Sequence, residues 1–99
     1  MKKIAKLVHN IDRELKLAEC YSEKYIECKT DGDNQMSNTY KDMALDNIEH
    51  ADTLHNMAVA VIDRIKTVYI PTPDMQAKWD ETHQKYVEKA TEIRRMLTM

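Results

Sequence analysis

The sequence predicts an all-α fold, an up-down-up antiparallel three-helix bundle in which residues 1–99 form one domain. Two observations carry that expectation. Residues that break regular structure are scarce and clustered: the chain has one glycine, Gly32, and two prolines, Pro71 and Pro73. A β-rich chain of this size needs turn residues at short, regular intervals. Between those two breaks, apolar residues recur at spacings of three and four, the period of an amphipathic helix. At 99 residues there is chain for one core and not two.

The first helix is expected over residues 3–28. Its stripe is Ile4, Leu7, Val8, Ile11, Leu15, Ala18, Tyr21, Tyr25 and Ile26. The run Thr30-Asp31-Gly32-Asp33-Asn34 ends it, with Gly32 free to adopt the left-handed conformation that closes a helix. The second helix is expected over 35–69, with Asn34 or Ser37 as its N-cap. At 100° per residue, Tyr40, Ala44, Asn47, Ala51, Leu54, Ala58, Ile62 and Ile65 share one face, and Asp46, Glu49 and Asp63 fall on the other side. Pro71 then forces an extended conformation on Ile70.

The third helix is expected over 73–98. Thr72 suits the cap, Pro73 the first helical position, and Asp74 the positive end of the helix dipole. Its stripe is Met75, Trp79, Thr82, Tyr86, Ala90, Ile93 and Leu97. Short links between long helices make neighbours antiparallel. A second helix of about 34 residues would be about 50 Å long. Three such helices leave apolar area near their ends uncovered, so the chain is expected to complete its bundle by self-association as a homo-oligomer.

Composition narrows the function classes. The formal charge is −2 with acids and bases interspersed. Lys2, Lys3 and Lys6 at one end and Arg94 and Arg95 at the other make no basic stripe, so no nucleic-acid partner is expected. No stretch has the roughly 18 to 20 apolar residues that span a bilayer. Lys6, His9 and Asp12 interrupt any apolar run after Met1-Lys2-Lys3, which argues against a signal peptide and for a cytoplasmic protein. Cys20 and Cys28, eight residues apart on one helix, lie about 12 Å apart, too far for a disulfide and too widely spaced for a Cys-x-x-Cys site.

Catalytic signals are weak. A chain with one glycine lacks the loops that cradle phosphate. Ser22 and Ser37 have no histidine-acid arrangement around them, and Cys20 projects away from the first stripe. The expectation is a protein that is not an enzyme. His9 is expected in solvent, while His50, His55 and His83 lie at stripe edges, where a histidine is most simply a half-buried boundary residue. Glu14 and His50 occupy the margins of their stripes. Asn47, one turn before His50, points close to the middle of the second, where an unpartnered amide would cost about 1 to 3 kcal/mol.

The stretch Asp46-Asn47-Ile48-Glu49-His50-Ala51-Asp52-Thr53-Leu54-His55 resembles the Glu-x-x-His-Ala helix of ferritin-like proteins. Glu14, followed seven residues later by Tyr21, is similar to their first-helix pattern of a ligand glutamate and a tyrosine. With Leu54-His55, the proline-rich break, and the segment Thr82 to Ala90, the whole length resembles small ferritin-like proteins of Firmicutes and their phages. The resemblance implies a ferritin-like fold, and a divalent-metal site drawn from Glu14, His50, His55 and His83. Asn47 departs from it, standing where a bridging glutamate belongs; a neutral amide cannot offset the charge of two irons. No other cofactor is expected. Two functional expectations follow. The first is a non-enzymatic helical protein of assembly or protein interaction, such as a phage or prophage accessory protein. The alternative is a metal-binding protein whose incomplete site lies at an oligomer interface.

Overall fold

Helix α1 spans Lys2–Thr30, α2 spans Asn34–Lys66 and α3 spans Pro73–Met96 in a computed structural model that describes residues 2–99. Among the described residues there is no strand. Each boundary has a local cause. Past Thr30 the chain reverses at Gly32, whose φ of 82° is the left-handed conformation anticipated for it. The amide of Asp33 returns to the Cys28 carbonyl at 2.9 Å, satisfying a backbone group the helix end would otherwise leave open.

The N-cap of α2 corrects the expectation. Asp33 fills that role, its carboxylate accepting from the Met36 amide at 3.0 Å. Asn34 already lies inside the helix. Ser37 is buried, and its hydroxyl donates back to the Asn34 carbonyl at 3.0 Å. At the other end α2 stops at Lys66, three residues before the expected Tyr69. Beyond it little lies against the chain: Val68 is 79% and Ile70 91% exposed, so little burial offsets the entropy of further helix. Thr67 caps the helix instead, its hydroxyl bonded to the Arg64 carbonyl at 2.6 Å. Helix α3 starts as expected, with Thr72 accepting from the Met75 amide at 3.2 Å, and ends two residues short of the expected boundary.

Cross-helix pairs set the topology. Glu14 meets Asn47, and Tyr21 stacks near Tyr40 with ring centroids 6.1 Å apart. Seven residues forward on α1 correspond to seven back on α2, so the two helices are antiparallel in constant register. Glu19 pairs with Lys89, and Lys29 reaches the backbone oxygen of Met99, so α3 runs parallel to α1. His55 meets His83 while Asp52 meets Tyr86, so α3 is antiparallel to α2. The result is the up-down-up bundle, 55 × 17 × 16 Å in extent.

The core comprises Ile11, Leu15, Ala18 and Tyr25 of α1, Ala44, Ile48 and Ala51 of α2, and Ala90, Ile93 and Leu97 near the end of α3. Ile48 was outside the expected face of α2 yet is 2% exposed. Helix α1 packs along α2 while α3 side chains reach its flank at Asp52 and His55, so its buried arc is wider than one stripe. At seven-residue intervals along α2, Ser37, Ala44, Ala51 and Ala58 form a buried row of small side chains. The α1 row at the same interval is Ile4, Ile11, Ala18 and Tyr25. Small side chains on one helix thus leave room for larger ones on the other. Buried Ser22 bonds the Ala18 carbonyl at 2.7 Å. The core is concentrated toward the end where α3 terminates. At the opposite end Ile62, Ile65 and Trp79 are only half-buried, and a cleft opens there.

Candidate functional site

Two polar groupings and one cleft stand out from this frame. In the first grouping, halfway along the α1–α2 hairpin, the Asn47 side-chain amide donates to Glu14 Oε2 at 2.6 Å. His50 Nδ1 lies 3.5 Å from the same oxygen. One carboxylate oxygen from α1 therefore receives two side chains from successive turns of α2. The helical period dictates this, since residues three apart face the same neighbour. Asn47, which the sequence places toward the core, has found its partner. Glu14 is half-buried, and His50 stays open to solvent with 64% of its side chain exposed.

The second grouping joins α2 to α3. The His55 ring lies flat on that of Tyr86, with centroids 4.4 Å apart and planes 12° from parallel. The His83 ring is 5.1 Å from that of His55. The Tyr86 hydroxyl donates to Asp52 Oδ1, and Arg94 donates to the other Asp52 oxygen at 2.9 Å. Burial, and then the bond to Asp52, push the Tyr86 hydroxyl up to about 12. Burial, and secondarily the charge of His83, hold His55 below its ordinary value, against an opposing pull from Asp52.

The four residues expected as metal ligands are thus placed as two pairs, Glu14 with His50 and His55 with His83. His50 and His55 are five residues apart on one helix, a rise of about 7.5 Å. Among the described residues no three histidine, cysteine, aspartate or glutamate side chains of one chain come together as a metal site. Cys20 and Cys28 are free thiols, and burial followed by nearby Asp33 and Glu27 raises Cys28.

The cleft lies between the last turns of α2 and the first turns of α3, floored by the start of α1. It encloses about 220 Å³ among Ile4, Val8, Ala58, Ile62, Trp79 and Tyr86, with His55 and His83 at one side. Comparison with protein-family models, curated proteins and solved structures finds no match to this chain.

Two features escaped the sequence reading. Asp52 holds Tyr86 and Arg94 together, yet in the sequence it is one acid among 17 Asp and Glu residues. Only the α2–α3 register reveals its partners. The Glu19–Lys89 pair across α1 and α3 is hidden for the same reason.

His55 makes stability depend on pH in a calculable direction. Its folded pKa lies below the ordinary 6.5, so between the two values the unfolded chain binds the additional proton. Its contribution is present above 6.5 and is lost as pH falls toward the folded value. The charged and titratable neighbours in this region are Asp52 on α2 and His83, Tyr86 and Arg94 on α3. Urea titrations at about pH 7 and about pH 5 are expected to show a larger loss for the native chain than for His55→Phe, which keeps a ring against Tyr86. Equal losses in both would remove His55 as the cause.

Proposed function

We propose that this is a non-enzymatic helical-bundle protein of assembly, ferritin-like in architecture and built to pair with a second copy through the side of α1 and α2 left uncovered by α3. The observation that carries the reading is a row on α2. Met36, Met43, His50 and Met57 follow one another at seven-residue intervals, all exposed. By helical arithmetic they lie on the side of α2 away from Asp52, which faces α3. Half-buried Tyr40 and Leu54 lie beside them, and α1 adds half-buried Tyr21 and exposed Leu17.

The row has a centre. Met43 and Met57 stand equally far on either side of His50, and His50 is the middle residue of α2. A two-fold axis there sets each Met43 against the partner's Met57 and brings two Glu14–Asn47–His50 groups together. Self-complementarity of this kind is what an isologous dimer requires. A face 55 Å long and 17 Å wide presents about 900 Å², close to the roughly 800 Å² per partner of a standard interface. Methionine suits such a surface, being flexible, polarizable and enriched at interfaces. The ferritin-like resemblance agrees with a four-helix core formed by two hairpins, and with a cytoplasmic phage or prophage accessory role.

Sedimentation at about 100 µM is expected to show twice the chain mass, and Met43→Glu with Met57→Glu to halve it without loss of helix. A native chain that stays monomeric overturns the reading. One observation favours a second reading. Glu14 Oε2 and His50 Nδ1 already converge, and two copies would offer two carboxylates and two imidazoles to one divalent ion, a donor set that suits zinc, manganese or iron. Elemental analysis of the same untagged sample tests it. Near-stoichiometric metal that disappears in His50→Ala supports the metal site, and a dimer that takes up no added zinc, manganese or iron ends it.

A further inference from the structure

The open end of the bundle carries a cleft lined by all three helices. Its cleft is larger than the engineered cavity of about 150 Å³ that a benzene ring fills. Its walls are apolar and aromatic: Ile4 and Val8 below, Ala58 and Ile62 on α2, and Trp79 and Tyr86 on α3. Its charged lining has one sign in excess. Asp12, Asp63 and Asp80 come from all three helices, against the ammonium of Lys66 in the lining and that of Lys85 near Asp12. Among the described residues Asp12 and Asp63 form no ion pair. Asp80 accepts a hydrogen bond from the neutral Gln76 side chain at 2.9 Å.

We propose that this cleft binds a small lipophilic cation, an alkyl- or arylammonium compound. Its headgroup lies against the face of Trp79 between Asp63 and Asp80, with Asp12 adding to the field from farther along the cleft, and its apolar body lies along Ile4, Val8 and Ile62. Two independent features select a cation. Aromatic faces attract an ammonium group through the negative face of the ring, and the excess of carboxylates favours positive charge while opposing an anion of the same shape. A neutral molecule of that shape gains only the apolar contact. Ligand pockets commonly have this make-up, with apolar walls and a few convergent polar groups that fix orientation.

Trp79 is the sole tryptophan of the chain, so intrinsic fluorescence reports on the cleft directly. The probes are hexyltrimethylammonium, hexanoate and 1-hexanol, which share one apolar body and differ in charge. Hexyltrimethylammonium is expected to shift Trp79 emission saturably and to bind about tenfold more tightly than hexanoate, the combined effect of three partly screened carboxylates. The preference is expected to fall below about twofold in Asp12→Asn, Asp63→Asn, Asp80→Asn combined, whose exposed substitutions leave the helices intact by circular dichroism. Ala58→Phe, which fills the cleft from α2, is expected to abolish the saturable shift for all three probes.

Several outcomes overturn the proposal: no saturable shift with the cation, equal or tighter binding of hexanoate, or a preference that survives loss of the three carboxylates. An emission shift that follows protein concentration with no probe present also overturns it, because a second copy would then cover the cleft. The dimer reading stands or falls on sedimentation mass and the Met43 and Met57 variants, so failure of one proposal is distinguishable from failure of the other.

Discussion

Ile93→Ala is expected to lower the unfolding free energy by about 3 kcal/mol, within the roughly 2 to 5 kcal/mol range for truncating a buried isoleucine, leucine or methionine to alanine. Ile93 is the largest side chain with no exposed surface, and it lies where α3 meets the hairpin. Ala90 and Ile93 of α3 and Leu97 just past its end are buried in the core, with Tyr86 packed against it, so the loss removes the main anchor of that helix. Its first half offers little compensation, since Met75 and Trp79 are only partly covered. Domains of this kind have about 5 to 15 kcal/mol in all, so the change is a large fraction of what holds the chain folded. Urea unfolding followed both by helix content and by Trp79 emission measures it. If α3 loosens before the hairpin, the Trp79 transition moves to lower urea than the helical one. A loss under about 1 kcal/mol would mean that α3 is held by its polar links, Glu19–Lys89 and Asp52 with Tyr86 and Arg94, and not by the core.

Local chemistry made most of the fold readable. Gly32 closes α1 because no other residue in that loop takes a positive φ so readily, and Thr72-Pro73-Asp74 opens α3 by the usual capping rules. Periodicity found Ile11, Leu15, Ala51, Ile93 and Leu97, all of them buried. The misses share one physical cause, that tertiary contact is not written in local pattern. Ile48 lies off the single stripe but inside the wider arc that two neighbours bury. The last turn of α2 had the right residues for helix, but Val68 and Ile70 had almost nothing to bury against. Asn34 is a good cap by type, and Asp33 took the position because Gly32 had already turned the chain.

The polar sites divide in the same way. Glu14, Asn47 and His50 were legible as a group because an amide near the middle of a stripe demands a partner. Their arrangement about one carboxylate oxygen required the α1–α2 register. His55 and His83 were visible as stripe-edge residues, but the stacking on Tyr86 that lowers the pKa of His55 through burial was not. The cleft is bounded by residues of all three helices, so only their tertiary arrangement reveals it.

Ala51→Leu is expected to cost about 1 to 3 kcal/mol, the range for forcing extra methylenes into a filled core. Ala51 is fully buried and belongs to the small-residue row Ser37, Ala44, Ala51 and Ala58. Larger α1 side chains such as Ile11 and Leu15 share its core cluster, so a leucine there meets occupied space. Ala60→Leu supplies the control: it stands on the same helix, is exposed, and exchanges two good helix formers, so its effect is expected to stay within about 0.5 kcal/mol. Urea denaturation of the two variants side by side makes the comparison, and a tolerated leucine at position 51 would show that α1 and α2 are not closely apposed there. The consequence reaches the proposed interface. A hairpin forced apart at Ala51 separates Glu14 from Asn47 and His50 at the middle of the uncovered face. The methionine row of α2 would then move relative to Leu17 and Tyr21 of α1. Self-association should therefore weaken in Ala51→Leu even though the substituted residue touches no surface, whereas Ala60→Leu should leave the sedimenting mass unchanged.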